Sequence, residues 1–201
     1  MRRSGKISFW IVVLILIIDQ ATKFWVKLGM HIGQEFSYWG QWARIHFIEN
    51  NGMAFGMQFA GDTGKIILTL FRMVAVVGIA LYIRHVSRKK RDILFILFLS
   101  MICAGALGNI IDSLFYGLIF SESTPYQVAQ FLPKNGGYAP LLHGKVVDMF
   151  YFPMLKGHWP QWIPWIGGNY FEFFRPIFNV ADSAITIGVV GLIAFQRRFF
   201  R

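Results

Sequence analysis

Phe178-Asn179-Val180-Ala181-Asp182-Ser183-Ala184-Ile185 opens the last apolar segment of the chain, and its reading decides the fold. An asparagine and an aspartate lie just inside a run that otherwise reads as membrane-spanning. A carboxylate in hydrocarbon is costly and needs an explanation. One explanation is local: Asn179 could cap a helix, and Asp182 favours a helix N-terminus. The other is chemical, because Asp148 sits in a second apolar context, Val146-Val147-Asp148-Met149-Phe150. Two acids in apolar surroundings can share one proton as a carboxylate dyad.

The composition agrees with a membrane protein. Of 201 residues, 55% are hydrophobic and only 15% charged, whereas a soluble domain carries about 25% charge. The single cysteine, Cys103, lies in an apolar run, so no intramolecular disulfide is available and packing is its expected role. The five histidines form no HExxH or other ligand spacing, and no metal site is expected. A net charge of +10 invites a nucleic-acid reading, but the distribution opposes it. Eleven of the twenty Lys/Arg fall in three clusters: Arg2, Arg3, Lys6; Arg84, Arg88, Lys89, Lys90, Arg91; and Arg197, Arg198, Arg201. Each abuts the end of an apolar run, as the positive-inside rule expects of cytoplasmic flanks. They are topology signals and candidate contacts to anionic lipid. No nucleic-acid partner is expected.

The first span is expected over residues 7–30. A secretory signal peptide fits poorly, because no small-x-small cleavage site follows Ile18. Spanning takes about 20 residues, and this run reaches that length only by including Asp19 and Lys23. Those two are four apart, share a helix face and can pair, either as a structural ion pair in the bundle interior or to hold the wall of an active site. Residues 31–64 are rich in Gly and aromatics, with partial alternation through Trp42-Ala43-Arg44-Ile45-His46-Phe47-Ile48, and read as a short sheet or hairpin outside the membrane. They include Glu49-Asn50-Asn51-Gly52-Met53-Ala54-Phe55-Gly56, a tight turn whose Asn50 amide could also hold a substrate backbone.

The second span, residues 65–83, carries Arg72 about two turns in, where it either snorkels outward or meets a carboxylate. A basic loop at 84–91 leads to the third span, 93–111, which ends in Gly105-Ala106-Leu107-Gly108-Asn109-Ile110-Ile111-Asp112. Gly105, Ala106 and Gly108 let helices approach closely, and Asn109 and Asp112 share a face at the outer end. The longest non-spanning region, 113–177, holds Trp159-Pro160-Gln161-Trp162-Ile163-Pro164-Trp165, which reads as a contact with the headgroup layer or a packed surface subdomain. The fourth span covers 178–195. The expected fold is an all-α membrane protein, one integral-membrane domain over residues 1–201, with four transmembrane helices and a small extracytoplasmic β-rich platform.

Taken in order, these segments resemble bacterial lipoprotein signal peptidase (signal peptidase II), a family of aspartic membrane proteases. Asp19-Gln20-Ala21-Thr22-Lys23 resembles its first motif, and Asn50-Asn51-Gly52-Met53-Ala54-Phe55-Gly56 its N-x-G-x-A-F turn. Gly105 to Asp112 resembles its G-A-L-G-N-x-x-D segment, Val146 to Phe150 its V-V-D-F, and Phe178 to Asp182 its F-N-x-A-D. Five motifs in order, over nearly the whole chain, make the resemblance specific.

The resemblance implies an endopeptidase that removes the signal peptide from diacylglyceryl-modified prolipoproteins. It would cut on the N-terminal side of the lipidated cysteine, using water activated between Asp148 and Asp182. It implies that Asp19, Lys23, Asn50, Gly52, Asn109, Asp112, Asn179 and Ala181 line or support the site, with no metal or organic cofactor. Expected partners are those prolipoproteins and membrane lipids, with globomycin-like cyclic peptides as inhibitors and a monomeric enzyme. The expected place is the bacterial cytoplasmic (inner) membrane, with both termini cytoplasmic and the active site toward the outer face.

Two departures stand out. The family's third motif usually continues N-x-x-D-R, whereas Ser113 follows Asp112 here, and Arg72 is expected to supply the missing charge. Residues 113–145 and 151–177 are longer than the family pattern, so extra structure should surround the site, gating substrate entry or widening a membrane-surface platform. Two other functions stay open. A small transporter or channel would use Asp19, Asp112 and Asp182 as an ion path, although the chain lacks the internal repeats of many transporters. A non-catalytic scaffold would tolerate loss of all the aspartates.

Overall fold

In the computed structural model, which describes residues 3–40, 42–51, 61–89, 91–173 and 176–199, the apolar stretches become helices. These are α1 (Arg3–Gly29), α2 (Gly61–Arg88), α3 (Ile93–Ile111) and α5 (Val180–Ala194). A π-helical turn, Asp112–Tyr116, and the short α4 (Gly117–Ile119) extend α3, and α6 (Gln196–Phe199) follows α5. Asp92 starts α3 by accepting the Leu94 N–H at 2.8 Å. α2 runs on through Arg88, so most of the expected loop at 84–91 is helix. Arginine and lysine are good helix formers, and cations suit a helix C-terminus.

Among the described residues, three helices are long and apolar enough to cross a membrane: Arg3–Gly29, Thr63–Arg88 and Ile93–Ile119. The protein is therefore a membrane protein with a small sheet region. α5 is 15 residues long, short of the roughly 20 needed to span. α3 is the centre of the bundle: 56% of its apolar window is buried, against 17% for the windows of α1 and α2. The outward faces of those two present Trp10, Ile17, Phe71 and Val74, apolar all round as lipid contact requires.

Close approach to α3 depends on two glycines. A Cβ at Gly105 would stand 2.2 Å from the Ala181 carbonyl oxygen, and one at Gly108 would stand 2.6 Å from Asp19 Oδ2. Hydrogen at those positions lets α5 and α1 bring polar groups against α3.

The strands are β1 (Glu35–Trp39), β2 (Ala43–Asn50), β3 (Val146–Tyr151), β4 (Leu155–His158), β5 (Tyr170–Phe173) and β6 (Ile177–Phe178). The first sheet has the order β1-β2-β3-β6, antiparallel throughout, and β4 pairs with β5 in a second. The alternation seen from Trp42 onward is real: Ala43, Ile45 and Phe47 face inward along β2. Ile45 and Phe47 pack with Val26 and Met30 of α1, Tyr116, Phe120, Val147 and Met149. An all-α description fits the bundle alone, because the two outer segments pair into sheets. The strand β2 meets β3 about a hundred residues later, with Ile48 opposite Asp148 and Asn50 opposite Val146.

Residues 120–145 are mostly irregular but fastened to the end of α3. Ala139 N–H donates to Gly117 C=O at 3.0 Å and Gly144 N–H to Ser113 C=O at 2.9 Å. The tryptophan-rich stretch lies between β4 and β5, with Trp162 81% and Trp165 98% exposed. Of the two readings open for it, that exposure disfavours a packed subdomain.

Candidate active site

The site starts from the spacing on α1. Asp19 and Lys23 are fully buried and paired at 2.9 Å. An ammonium has three hydrogens to place, and Lys23 places all of them: on Asp19 Oδ2, on Asp112 Oδ2 at 2.8 Å and on Asn109 Oδ1 at 2.9 Å. The expected Asn109/Asp112 face of α3 thus meets the expected Asp19/Lys23 face of α1. Two carboxylates therefore surround one cation in the buried interior of the bundle.

Each carboxylate of that cluster then holds another element. Asp19 Oδ1 accepts the Ala181 N–H at 2.9 Å, one of the donors a helix start leaves unpaired. Asp112 Oδ2 accepts the Val147 N–H at 3.4 Å, one residue before Asp148. The ion cluster therefore ties α1 and α3 to both segments that carry the dyad candidates.

Asp148 projects from β3 and is 1% exposed; Asp182 lies in the first turn of α5 and is half-buried. Asn179 joins them. Its side-chain oxygen accepts the Asp182 N–H at 2.9 Å, while Asp182 Oδ2 accepts the Asn179 N–H at 3.3 Å, a capping box. Its amide nitrogen lies 2.7 Å from Asp148 Oδ1, 3.1 Å from Asn109 Oδ1 and 3.3 Å from the Val147 carbonyl oxygen. The local and the chemical readings of the opening stretch are thus compatible in one residue. Asn109 donates its other side to Asp182 Oδ1 at 2.8 Å, and the Asn50 amide donates to Asp148 Oδ2. Both aspartates are held by asparagine amides that accept no proton themselves.

The surroundings act strongly on Asp148. Burial, then the negative charge of Asp182 beside it, pushes Asp148 from the ordinary carboxylate value of 3.8 up to about 8. Arg72, half-buried on α2, lies within electrostatic range of Asp182. One neutral and one charged carboxyl is the arrangement that lets a pair donate and accept protons together.

Of the expected site residues, Asp19, Lys23, Asn50, Asn109, Asp112, Asp148, Asn179, Ala181 and Asp182 meet in this network, and Arg72 adjoins it. Gly52 lies outside the described residues. Among the described residues no group of three or more His, Cys, Asp or Glu is arranged to hold a metal ion.

Several members were not foreseen. Gln20 donates to Asp112 Oδ1 at 3.0 Å and accepts from the Tyr116 hydroxyl at 3.2 Å. Lys27, fully buried one turn beyond Lys23, pairs with Glu49 and donates to Ser123 Oγ at 3.0 Å. Glu49 precedes Asn50 in β2, so this pair fastens the strand that presents an amide to Asp148. The i, i+4 repeat of Lys23 and Lys27 was the available signal, since two lysines on one apolar helix face need partners. Lys65 holds Asn51 Oδ1 at 3.1 Å and the His143 carbonyl at 2.8 Å, closing the site's α2 side.

A family model described as signal peptidase (SPase) II matches residues 11–197. A lipoprotein signal peptidase of Porphyromonas gingivalis is 47% identical over 197 residues, covering 97% of this chain and 84% of the relative. That of Amoebophilus asiaticus is 36% identical over 193 residues, 94% of this chain and 77% of the relative. A solved bacterial membrane enzyme, determined by the in meso method at 1.9 Å resolution, superposes with a TM-score of 0.59 at 26% identity, covering 95% of this chain and 92% of that one.

Proposed function

This chain belongs to the signal peptidase II family, and from that premise we propose that it is an aspartic endopeptidase removing signal peptides from diacylglyceryl-modified prolipoproteins. It cuts the bond on the N-terminal side of the lipidated cysteine. The observation that carries this reading is Asn179, which bonds Asp148 and Asp182 together between two elements remote in sequence.

In the mechanism, Asp148 starts with the proton and Asp182 starts as the anion. Water between them attacks the scissile carbonyl carbon and gives one proton to Asp182. Asp148 passes its proton to the carbonyl oxygen, so a tetrahedral diol forms without a free oxyanion. As the C–N bond breaks, Asp182 gives its proton to the leaving amine and a diol hydroxyl returns one to Asp148. The products are a free carboxyl on the signal peptide and a free amine on the cysteine, and the pair is restored. Arg72 supplies from α2 the positive charge that the family's pattern places where Ser113 stands here. No metal or organic cofactor enters these steps.

The chain works as one integral-membrane domain. Its fourth span covers residues 178–195, built on α5, and α6 with Arg197 and Arg198 closes it at the cytoplasmic end. With all three basic clusters on the cytoplasmic side, both termini lie inside, and the sheets and the dyad face the outer side of the bacterial cytoplasmic membrane. The enzyme acts as a monomer on substrates delivered laterally among membrane lipids, and globomycin-like cyclic peptides block it. The exposed β4–β5 loop, with Trp162 and Trp165, rests in the headgroup layer.

The test is cleavage of a diacylglyceryl-modified prolipoprotein peptide by purified protein in detergent, with products identified by mass. Cleavage before the lipidated cysteine is expected. An intact substrate, under conditions where a known signal peptidase II cuts it, would overturn the reading.

A further inference from the structure

A cavity of 620 Å³ opens between α1, α2 and α3, toward the helix ends that carry the basic clusters and away from the aspartates. Its walls are apolar, from Phe9 and Val12 of α1, Val76 and Ile83 of α2, and Leu107 of α3. Along α2 the lining starts at Val76 and finishes with Arg84, Ser87 and Arg88. The twelve residue steps from Val76 to Arg88 rise about 18 Å, close to one leaflet of a hydrocarbon core about 30 Å thick. Arg84 and Arg88 are exposed and four apart, so their guanidinium groups stand one turn apart on one face. Ser87, on the same turn, is 5% exposed, and its hydroxyl has no hydrogen-bond partner. Among the described residues, no carboxylate lines the cavity.

We propose that this cavity is a binding site for an anionic diacyl phospholipid, one acyl chain lying between α1 and α2 and the phosphate resting on Arg84 and Arg88. Size and charge select this occupant. A helix about 10 Å across and as long as the cavity would need roughly twice its volume. A zwitterionic headgroup would bring a cation up to two guanidinium groups. Basic pockets between spans on the cytoplasmic side suit phosphate headgroups. The site is independent of the peptidase chemistry and gives the enzyme a preference for anionic leaflets.

The full-length protein, extracted in mild detergent, is exposed to equal amounts of phosphatidylglycerol and phosphatidylcholine and examined by native mass spectrometry and thermal unfolding. One phosphatidylglycerol should be retained per chain and raise the unfolding midpoint, with phosphatidylcholine doing neither. The double variant Arg84→Gln/Arg88→Gln should weaken that binding roughly 30-fold, and Lys89→Gln/Arg91→Gln should leave it unchanged. Ala80→Phe, which fills the cavity wall while keeping both arginines, should abolish it and decides the matter if the arginine variant does not fold. Equal retention of the two lipids by wild type, or unchanged selectivity in Ala80→Phe, would overturn the proposal.

Discussion

Asn179 lies with its amide nitrogen 2.7 Å from Oδ1 of Asp148, so the residue that caps α5 also grips the carboxyl carried by β3. Helix entry and dyad geometry are one construction. A cap therefore doubles as the link between two chain segments that a membrane helix and a sheet would otherwise hold independently.

Replacing Asn179 separates the two duties. Asn179→Ala should destabilise by about 1 kcal/mol through the lost cap. Asn179→Ser keeps a capping oxygen and should recover most of that stability. Neither supplies an amide to Asp148, so both should cleave roughly tenfold to a hundredfold more slowly. Thermal unfolding and cleavage rates on the same preparations check this. Full activity in the serine variant would show that the link is structural only.

The raised Asp148 value gives a signed pH dependence. The folded protein keeps a proton on Asp148 up to about 8, whereas the unfolded chain releases it near 3.9. The stability this contributes is complete below the unfolded value and is lost as pH rises through about 8. Asp148→Asn cannot ionise, so its unfolding midpoint should gain on wild type from pH 5 to about pH 8 and level off above that. Wild-type cleavage should fall over the upper part of that range as the donor proton is lost. A midpoint difference independent of pH would contradict the assignment.

Lys23 tests the ion cluster. Lys23→Met leaves Asp19 and Asp112 buried without their cation and should cost about 3–5 kcal/mol. Adding Asp112→Asn removes one of the two charges and should restore part of the loss. The measurement is thermal unfolding of the single and double variants in one detergent. A single variant as stable as wild type would mean that the pair carries no such burden.

Arg72 should matter to rate more than to folding, since its charge lies within electrostatic range of Asp182 from a half-buried position. Arg72→Ala should lower cleavage roughly tenfold, and Arg72→Lys should keep most of it. Unimpaired cleavage by the alanine variant would remove Arg72 from the site.

Much of this site is legible along single helices. The i, i+4 spacing of Asp19 and Lys23 and the i, i+3 spacing of Asn109 and Asp112 each mark one face, and an apolar helix has few ways to satisfy such faces except against each other. Asn179 before an apolar run reads as a cap for the same local reason. Long-range pairings leave no such trace. Glu49 looks like a turn residue and Lys27 like a snorkelling lysine until β2 closes on α1 and buries both. The partnership of β2 with β3 depends on register across residues 51–145, where no periodicity carries the information. The hairpin β4–β5 is hidden by its tryptophan-rich loop, whose composition reports on lipid rather than on strands. The π-helical turn at Asp112–Tyr116 is equally silent, because its residues continue the helical pattern of α3.

The central claim is that Asp148 and Asp182 form one proton-sharing pair. The most direct measurement is cleavage of the lipidated prolipoprotein peptide by wild type, Asp148→Asn and Asp182→Asn, each first shown to be folded by its unfolding transition. The account predicts that wild type cuts before the lipidated cysteine and that each variant alone loses about 10²-fold to 10⁴-fold or more in rate. A folded variant of either aspartate that cleaves at the wild-type rate would contradict it.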